Sequence, residues 1–248
     1  MAPVTRLRVV SWNLQGSQLR DIAGVARVLR DIDADLVCLQ EVQRRQYRRL
    51  TSAVGNFGVW SFKHWPVRGP AEGMAVIARA PIVRNRTFAI SRSEPPWSWR
   101  RRIAIAVVIE IDGVFVRAVN THLGAGVTDE ERARQARRIV SIARDLHVLV
   151  GDLNVVPGSG VLAEFAPLRD AWSVLHAGLR SPNTNWDPGP RDHPPVQRLD
   201  YVLVDPATAV HDVLIPTDWE RYAPLSDHLP VVVDLERDFP AAERARPG

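Results

Sequence analysis

The chain has 248 residues, 46% of them hydrophobic, and a formal net charge of +4. That length and apolar content allow one large core. The single cysteine, Cys38, excludes an intrachain disulfide framework, and no window approaches the ~18 apolar residues of a membrane span. The N-terminal stretch MAPVTRLRVVSWN lacks the continuous apolar segment of a signal peptide. The expectation is therefore a soluble cytoplasmic monomer, with one domain over residues 1–239 and a C-terminal tail over 240–248. Of the 32 basic residues, Lys63 is the only lysine. A basic balance suits a polyanionic partner, although an arginine bias of this kind also arises from genome base composition.

Residues 7–12 read as a strand that runs into the polar turn Asn13-Leu14-Gln15-Gly16. Ser17 is a candidate cap for a helix with Ile22, Val25, Ala26, Leu29 and Ile32 at helical spacing. Residues 36–40 form the next buried strand, with Glu41 at its end. Strand, helix and strand within about 30 residues make a βαβ unit, whose strands are parallel. Asn13 and Glu41 are thus expected to emerge at one edge of a sheet. A second helix starts at Arg44, with Arg44, Arg45, Arg48 and Arg49 on its wet side. Residues 57–62 and 73–79 read as strands joined by a loop. Residues 87–98 read as irregular and end in Trp97-Ser98-Trp99, directly before Arg100-Arg101-Arg102.

Asp112-Gly113 marks a hairpin between strands over 103–111 and 114–120. Thr128 and Glu131 form a capping box for a helix to about residue 144, with Ala133, Ala136, Ile139, Val140 and Ala143 inward. HVLVGDLNVVPGS at 147–159 follows: a short apolar run, then Asp152 and Asn154, then a turn. Residues two apart on a strand face one side, so Asp152 and Asn154 are expected to leave the strand together. A short helix over 160–165, a strand near 171–172 and a long polar loop over 178–197 come next. Strands over 199–204, 210–215 and 231–235 complete the chain.

Polar residues stand at the ends of apolar runs in six places: Asn13, Glu41, His122, Asp152 with Asn154, Asp200, and Asp227 with His228. Turns favour Asn and Asp for their own reasons, but Glu41 and the two histidines are not turn formers. Glu41, Asp152 and Asp227 with amide support and no cysteine favour a hard, oxygen-ligated cation, Mg²⁺ or Mn²⁺. A histidine beside an acid, His228 with Asp200 as candidate partner, is the arrangement for orienting a water and holding an imidazolium. Metal, histidine and amide together point to attack on a phosphorus ester.

SWNLQ at 11–15, LQEV at 39–42, NTHL at 120–123, GDLN at 151–154, RLDYVLV at 198–204 and SDHLPV at 226–231 resemble, in order, the six signature blocks of the endonuclease/exonuclease/phosphatase superfamily, the DNase I-like proteins. The blocks cover nearly the whole chain. The resemblance implies an α/β fold, a four-layer sandwich of two packed mixed β-sheets flanked by helices. It implies a metal-dependent phosphoesterase in which Glu41 and Asp227 hold the ion with Asn13 beside it. Asp152 orients or activates the attacking water, and Asn154 holds that water or the phosphate. His228 contacts the phosphate or acts as base, with Asp200 fixing its ring. His122 stabilises the phosphate or protonates the leaving group.

Histidine in the His122 place is similar to pancreatic-type deoxyribonucleases, sphingomyelinases and tyrosyl-DNA phosphodiesterases; abasic-site endonucleases of the exonuclease III type have tyrosine. The deoxyribonucleases pair that histidine with a glutamate, and the matching place here is Arg102, a candidate phosphate contact. The implied activity is Mg²⁺/Mn²⁺-dependent phosphodiester hydrolysis on nucleic acid, DNA first, then RNA. The alternatives are a phosphatase or phosphodiesterase on a lipid head group or small phosphate ester, and a non-catalytic binding module, against which every block is filled. Trp97 and Trp186, near basic residues, are candidate stacking contacts for single-stranded substrate, the alternative being that they pack their own loops.

Overall fold

The computed structural model describes residues 4–64, 70–91 and 101–238. Trp97, Trp99 and the tail over 240–248 lie outside the described residues. In chain order the elements are β1 (Val4–Asn13), α1 (Ile22–Ile32), β2 (Leu36–Gln43), α2 (Arg44–Val54), β3 (Phe57–His64), β4 (Glu72–Ala78), β5 (Ile82–Ala89), β6 (Ile103–Ile111), β7 (Val114–His122), α3 (Asp129–Ile142), β8 (Val148–Asp152), β9 (Arg169–Asp170), α4 (Ala171–Leu175), β10 (Asp200–Val204), β11 (Thr208–Leu214) and β12 (Val231–Asp238). Short 3-10 turns cover Gly160–Phe165 and Trp219–Arg221.

The strands form two mixed six-stranded sheets. The first has the order β11-β12-β1-β2-β4-β3 and the second β5-β6-β7-β8-β10-β9. β1 and β2 are parallel, with Asn13 opposite Gln40, so the βαβ unit delivers Asn13 and Glu41 to one edge as expected. β7 and β8 are the parallel pair of the second sheet. Strand alternation divides the apolar residues between two cores. On β8, Val148 and Val150 join the main core with Val9, Val37 and Val76 from the first sheet, while Leu149 joins a second core with Ala136 and Ile139 of α3. Each such aliphatic side chain, fully buried, contributes about 1.5–3 kcal/mol.

Local signals account for most boundaries. Thr128 caps α3 by accepting from the Glu131 amide. Asp112 and Gly113 both take positive φ, 51° and 76°, as a tight hairpin between β6 and β7 requires. Three expectations are corrected. α1 is capped by Asp21, which accepts from the Gly24 amide; the Ser17 amide instead donates to Glu72 Oε1 at 2.9 Å. Ala171 and Trp172 begin helix α4, after the two-residue strand β9. β5 occupies part of the stretch read as irregular. It is an edge strand with Arg84, Asn85 and Arg86 exposed, so it shows little of the apolar alternation that marks a half-buried strand.

Candidate active site

Register builds the centre of the site. β7 pairs His122 with Asp152, and β10 pairs Asp200 with the same Asp152, so the three residues stand in a row across neighbouring strands. Gly151 is required just before it. Its φ is +151°, and a Cβ there would lie 1.9 Å from the Thr121 carbonyl oxygen. Asp152 shares strand parity with Val148 and Val150, so the row faces the first sheet. Asn13, the last residue of β1, reaches across and donates from Nδ2 to Asp152 Oδ2 at 3.0 Å. Its Oδ1 accepts from the Gln15 amide at 3.1 Å, which sets the orientation of the carboxamide.

The SDH block closes over this row. Ser226 Oγ donates to the Asn13 carbonyl at 2.6 Å and accepts from the His228 amide at 3.1 Å, and Trp12 Nε1 donates to the His228 carbonyl at 2.8 Å. The ring of His228 lies with Nδ1 2.8 Å from Asp200 Oδ2 and Nε2 3.8 Å from Asp152 Oδ2. Thr184 Oγ1 also donates to Asp200 Oδ2, at 2.7 Å. From the other side His122 Nε2 lies 3.5 Å from Asp152 Oδ2. Asp152 is thus the point on which Asn13, His122 and His228 converge.

Asn154 comes to the site by a different route from the one strand parity suggested. β8 ends at Asp152. The Asn154 amide donates back to Asp152 Oδ1 at 3.0 Å in an Asx turn, φ is +51°, and its Nδ2 donates to the Leu123 carbonyl at 3.1 Å. Glu41 is delivered by an irregularity as well. The register of β2 against β4 shifts between Leu39 and Val42, and Glu41 takes φ +52°, unusual for a glutamate. Its Oε1 lies 3.3 Å from Lys63 Nζ and 3.8 Å from His122 Nδ1.

Lys63 is the residue that motif reading missed. It lies near the end of β3, its side chain is fully buried, and Nζ lies 3.3 Å from both Glu41 Oε1 and His122 Nδ1. An ammonium has no lone pair, so Nδ1 of His122 accepts and Nε2 carries the ring hydrogen. Its sequence signal was the one lysine in an otherwise all-arginine set of cations. Arg102 is also buried, and its charge acts on Glu41, Lys63 and His122.

The electrostatics follow from burial and these neighbours. Burial lowers the Lys63 ammonium to about 8 against the pull of Glu41. Burial, then Lys63 and Arg102, hold His122 well below the usual histidine range, so its ring is neutral. Burial would raise Glu41, but Lys63 and Arg102 outweigh it and keep it below the usual carboxylate range. Burial and Asp200 push Asp152 up to about 6. Burial disfavours charge on His228, yet Asp200, Asp152 and Asp227 outweigh it and push it up to about 10. Asp227 is raised by burial and by Glu41, and Glu72 likewise.

These residues fit a divalent cation. Glu41 repels both Asp227 and Glu72, an accumulation of carboxylate charge that a cation between them relieves, and oxygen donors suit Mg²⁺ or Mn²⁺. Among the described residues, the group of three potential ligands close enough to share one ion is Asp152, Asp200 and His228. His228 Nδ1 and Asp200 Oδ2 already face each other there, which leaves Nε2 and the Asp152 carboxylate as the atoms open to an ion or water.

Trp186 requires a correction. It is 1% exposed, its ring belongs to the main core edge-on to Trp219, and Nε1 donates to the His193 carbonyl at 2.6 Å. No face is left on which a base could stack, so it packs the long loop down.

The sequence profile of the Endonuclease/Exonuclease/phosphatase family matches residues 10–228. The chain belongs to that family. Members of the endonuclease/exonuclease/phosphatase family are in general hydrolytic phosphoesterases, and nucleases, phosphatases and phosphodiesterases occur among them. An endonuclease/exonuclease/phosphatase from Beutenbergia cavernae is similar with TM-score 0.75 and 25% identity, over 94% of this chain and 72% of that one. The human Nocturnin catalytic domain with bound sulfate gives 0.74 and 22%, over 94% and 97%. A Bacteroides thetaiotaomicron mannosyl-6-phosphatase gives 0.68 and 20%, over 92% and 99%. No curated protein sequence matches the chain. Among the described residues, no helix is long and apolar enough to cross a membrane.

Proposed function

We propose that the protein is a Mg²⁺- or Mn²⁺-dependent phosphodiester hydrolase acting on nucleic acid, DNA first. The observation that carries this is the convergence of Asn13, His122 and His228 on Asp152, with Asp200 behind His228 and Glu41 alongside. Glu41 and Asp227 would hold the cation, which supplies positive charge against the phosphate. Asp152, with Asn13 and the Asn154 amide fixing its two oxygens, orients the attacking water. The water oxygen bonds to phosphorus, the ester P–O bond breaks in line, and the water's proton passes to Asp152 or His228. His122, neutral with its hydrogen on Nε2, steadies the phosphate oxygens by donation and does not protonate the leaving group.

Nucleic acid is favoured by cations on the rim. α2 begins directly after the strand that carries Glu41, contains no acidic residue and exposes Arg44, Arg45, Arg48 and Arg49. Arg102 is placed to meet a substrate phosphate. The fold likeness to a mannosyl-6-phosphatase supports a second reading, a phosphatase on a small phosphate ester. The test is incubation with supercoiled plasmid, single-stranded DNA and RNA in Mg²⁺ or Mn²⁺, with EDTA, Glu41→Ala and His228→Ala as controls. Metal-dependent cleavage lost in the controls is expected. If all three polymers stay intact while sugar phosphates, nucleotides, phosphoinositides or sphingomyelin are hydrolysed, the second reading replaces the first.

A further inference from the structure

The long loop before β10 contributes a residue that none of the six blocks contains. Asn185 is 2% exposed, and its backbone is clamped on both sides. It bridges to Gln197 and to His228, with Val196 N donating to the Asn185 carbonyl at 2.9 Å. The flanking amides of Trp186 and Leu229 donate to Asp227 and Thr184 carbonyls at 3.1 and 2.7 Å. The clamp holds the Asn185 carboxamide against the His228 ring, with Nδ2 2.7 Å from Nε2.

The orientation of that carboxamide is fixed by its other end. Oδ1 accepts from the backbone amide of Asp187 at 2.9 Å and from Gln197 Nε2 at 3.2 Å. A backbone amide can only donate. Gln197 Nε2 also donates to the Asp187 carbonyl at 2.6 Å, which sets its amide too. Turning the Asn185 carboxamide over would put NH₂ against two donors. The atom presented to His228 is therefore the NH₂ group, and the ring nitrogen facing it needs a lone pair.

We propose that Asn185 is a positioning residue that keeps Nε2 of His228 a hydrogen-bond acceptor, with the ring hydrogen on Nδ1 directed at Asp200. This rests on the reading of His228 as a residue of the active site. The surrounding carboxylates favour a second ring hydrogen, and Asn185 opposes it by offering Nε2 a donor where an imidazolium needs an acceptor. The two histidines then stand in opposite senses: Lys63 makes His122 a donor at Nε2, and Asn185 makes His228 an acceptor there. Both Nε2 atoms face Asp152, so a water or phosphate beside that carboxylate meets one donor and one acceptor.

The experiment is long-range ¹H–¹⁵N correlation of the imidazoles in the full-length protein at neutral pH, with and without MgCl₂, His228 being assigned by its loss in His228→Gln. The expected wild-type spectrum shows Nε2 of His228 without hydrogen and Nδ1 with it. Asn185→Asp keeps the size of the side chain but sets a carboxylate oxygen against the ring, and Nε2 is expected to move to the protonated range. Asn185→Ala, which only removes the donor, is expected to move it the same way. A wild-type ring with hydrogen on Nε2 overturns the proposal, and so does an Nε2 signal unchanged in a folded Asn185→Asp or Asn185→Ala protein. The spectra need no substrate. An enzyme inactive on every substrate whose His228 still shows the acceptor state would fail the functional reading alone.

Discussion

The acid limb of any pH profile of this protein has two possible origins, and His147 separates them. His147 precedes β8, at the end of that strand opposite Asp152, and is 4% exposed. Its Nδ1 accepts from the Arg117 amide at 3.2 Å, and burial, helped by Arg237, lowers it from 6.5 to about 3. Between these two values the unfolded chain binds a proton that the folded chain refuses. Stability is therefore fully present above pH 6.5 and falls as the pH drops toward 3. At about 1.4 kcal/mol per unit, the loss from this residue is about 2 kcal/mol at pH 5 and approaches about 5 kcal/mol below pH 3. Against a typical total of about 5–15 kcal/mol that is a large share. His147→Asn, whose Oδ1 can still accept from the Arg117 amide, removes the titration. Urea unfolding of both proteins at pH 7.5 and pH 5 measures it. The gap in stability between them should shift by about 2 kcal/mol in favour of the variant at the lower pH. Parallel pH dependences would refute the assignment of a neutral buried imidazole to His147. With the fold's acid sensitivity removed, a remaining fall in cleavage below neutral pH belongs to the active site.

Asp200→Asn keeps the shape of the residue behind His228 but removes the charge that meets Nδ1 at 2.8 Å. Cleavage is expected to fall about 10³-fold or more with the far-ultraviolet circular dichroism unchanged, as when an orienting carboxylate is lost from a histidine. A fall of less than tenfold would show that the pair does not serve the reaction. Lys63→Met removes the ammonium facing Glu41. Even with water-like screening, a unit charge and a divalent ion about 6 Å apart repel by about 1.4 kcal/mol, so Mn²⁺ should bind roughly tenfold more tightly by isothermal titration. Unchanged or weaker binding would remove Glu41 from the set that holds the ion.

The site residues on regular strands were legible in the sequence because each one ends an apolar run. His122, Asp152 and Asp200 lie at strand ends, and β-pairing brings them into a row without further help. Asn13 and Glu41 followed from the handedness and parallel strands of one βαβ unit. The sequence was least informative where backbone irregularity or loop packing sets the geometry. Strand parity put Asn154 beside Asp152, and an Asx turn with positive φ does so instead. Trp186 lay in a polar loop and looked available, but the loop folds its indole into the core.

Lys63 and Asn185 escaped for a common reason. Lys63 lies two strands from Glu41, across β4, and Asn185 reaches His228 only because the long loop bridges to the SDH block. Neither contact has a period or a spacing, since each depends on which distant segment is laid beside it. Both side chains are polar and almost completely buried, and a buried polar group needs a partner within reach. The partner in each case is one of the two histidines. The blocks supply the groups that meet the substrate, and the two buried residues outside them determine which ring nitrogen of each histidine bears the hydrogen. A chain could therefore retain every block and still lose the donor and acceptor pattern around Asp152 if either Lys63 or Asn185 were replaced.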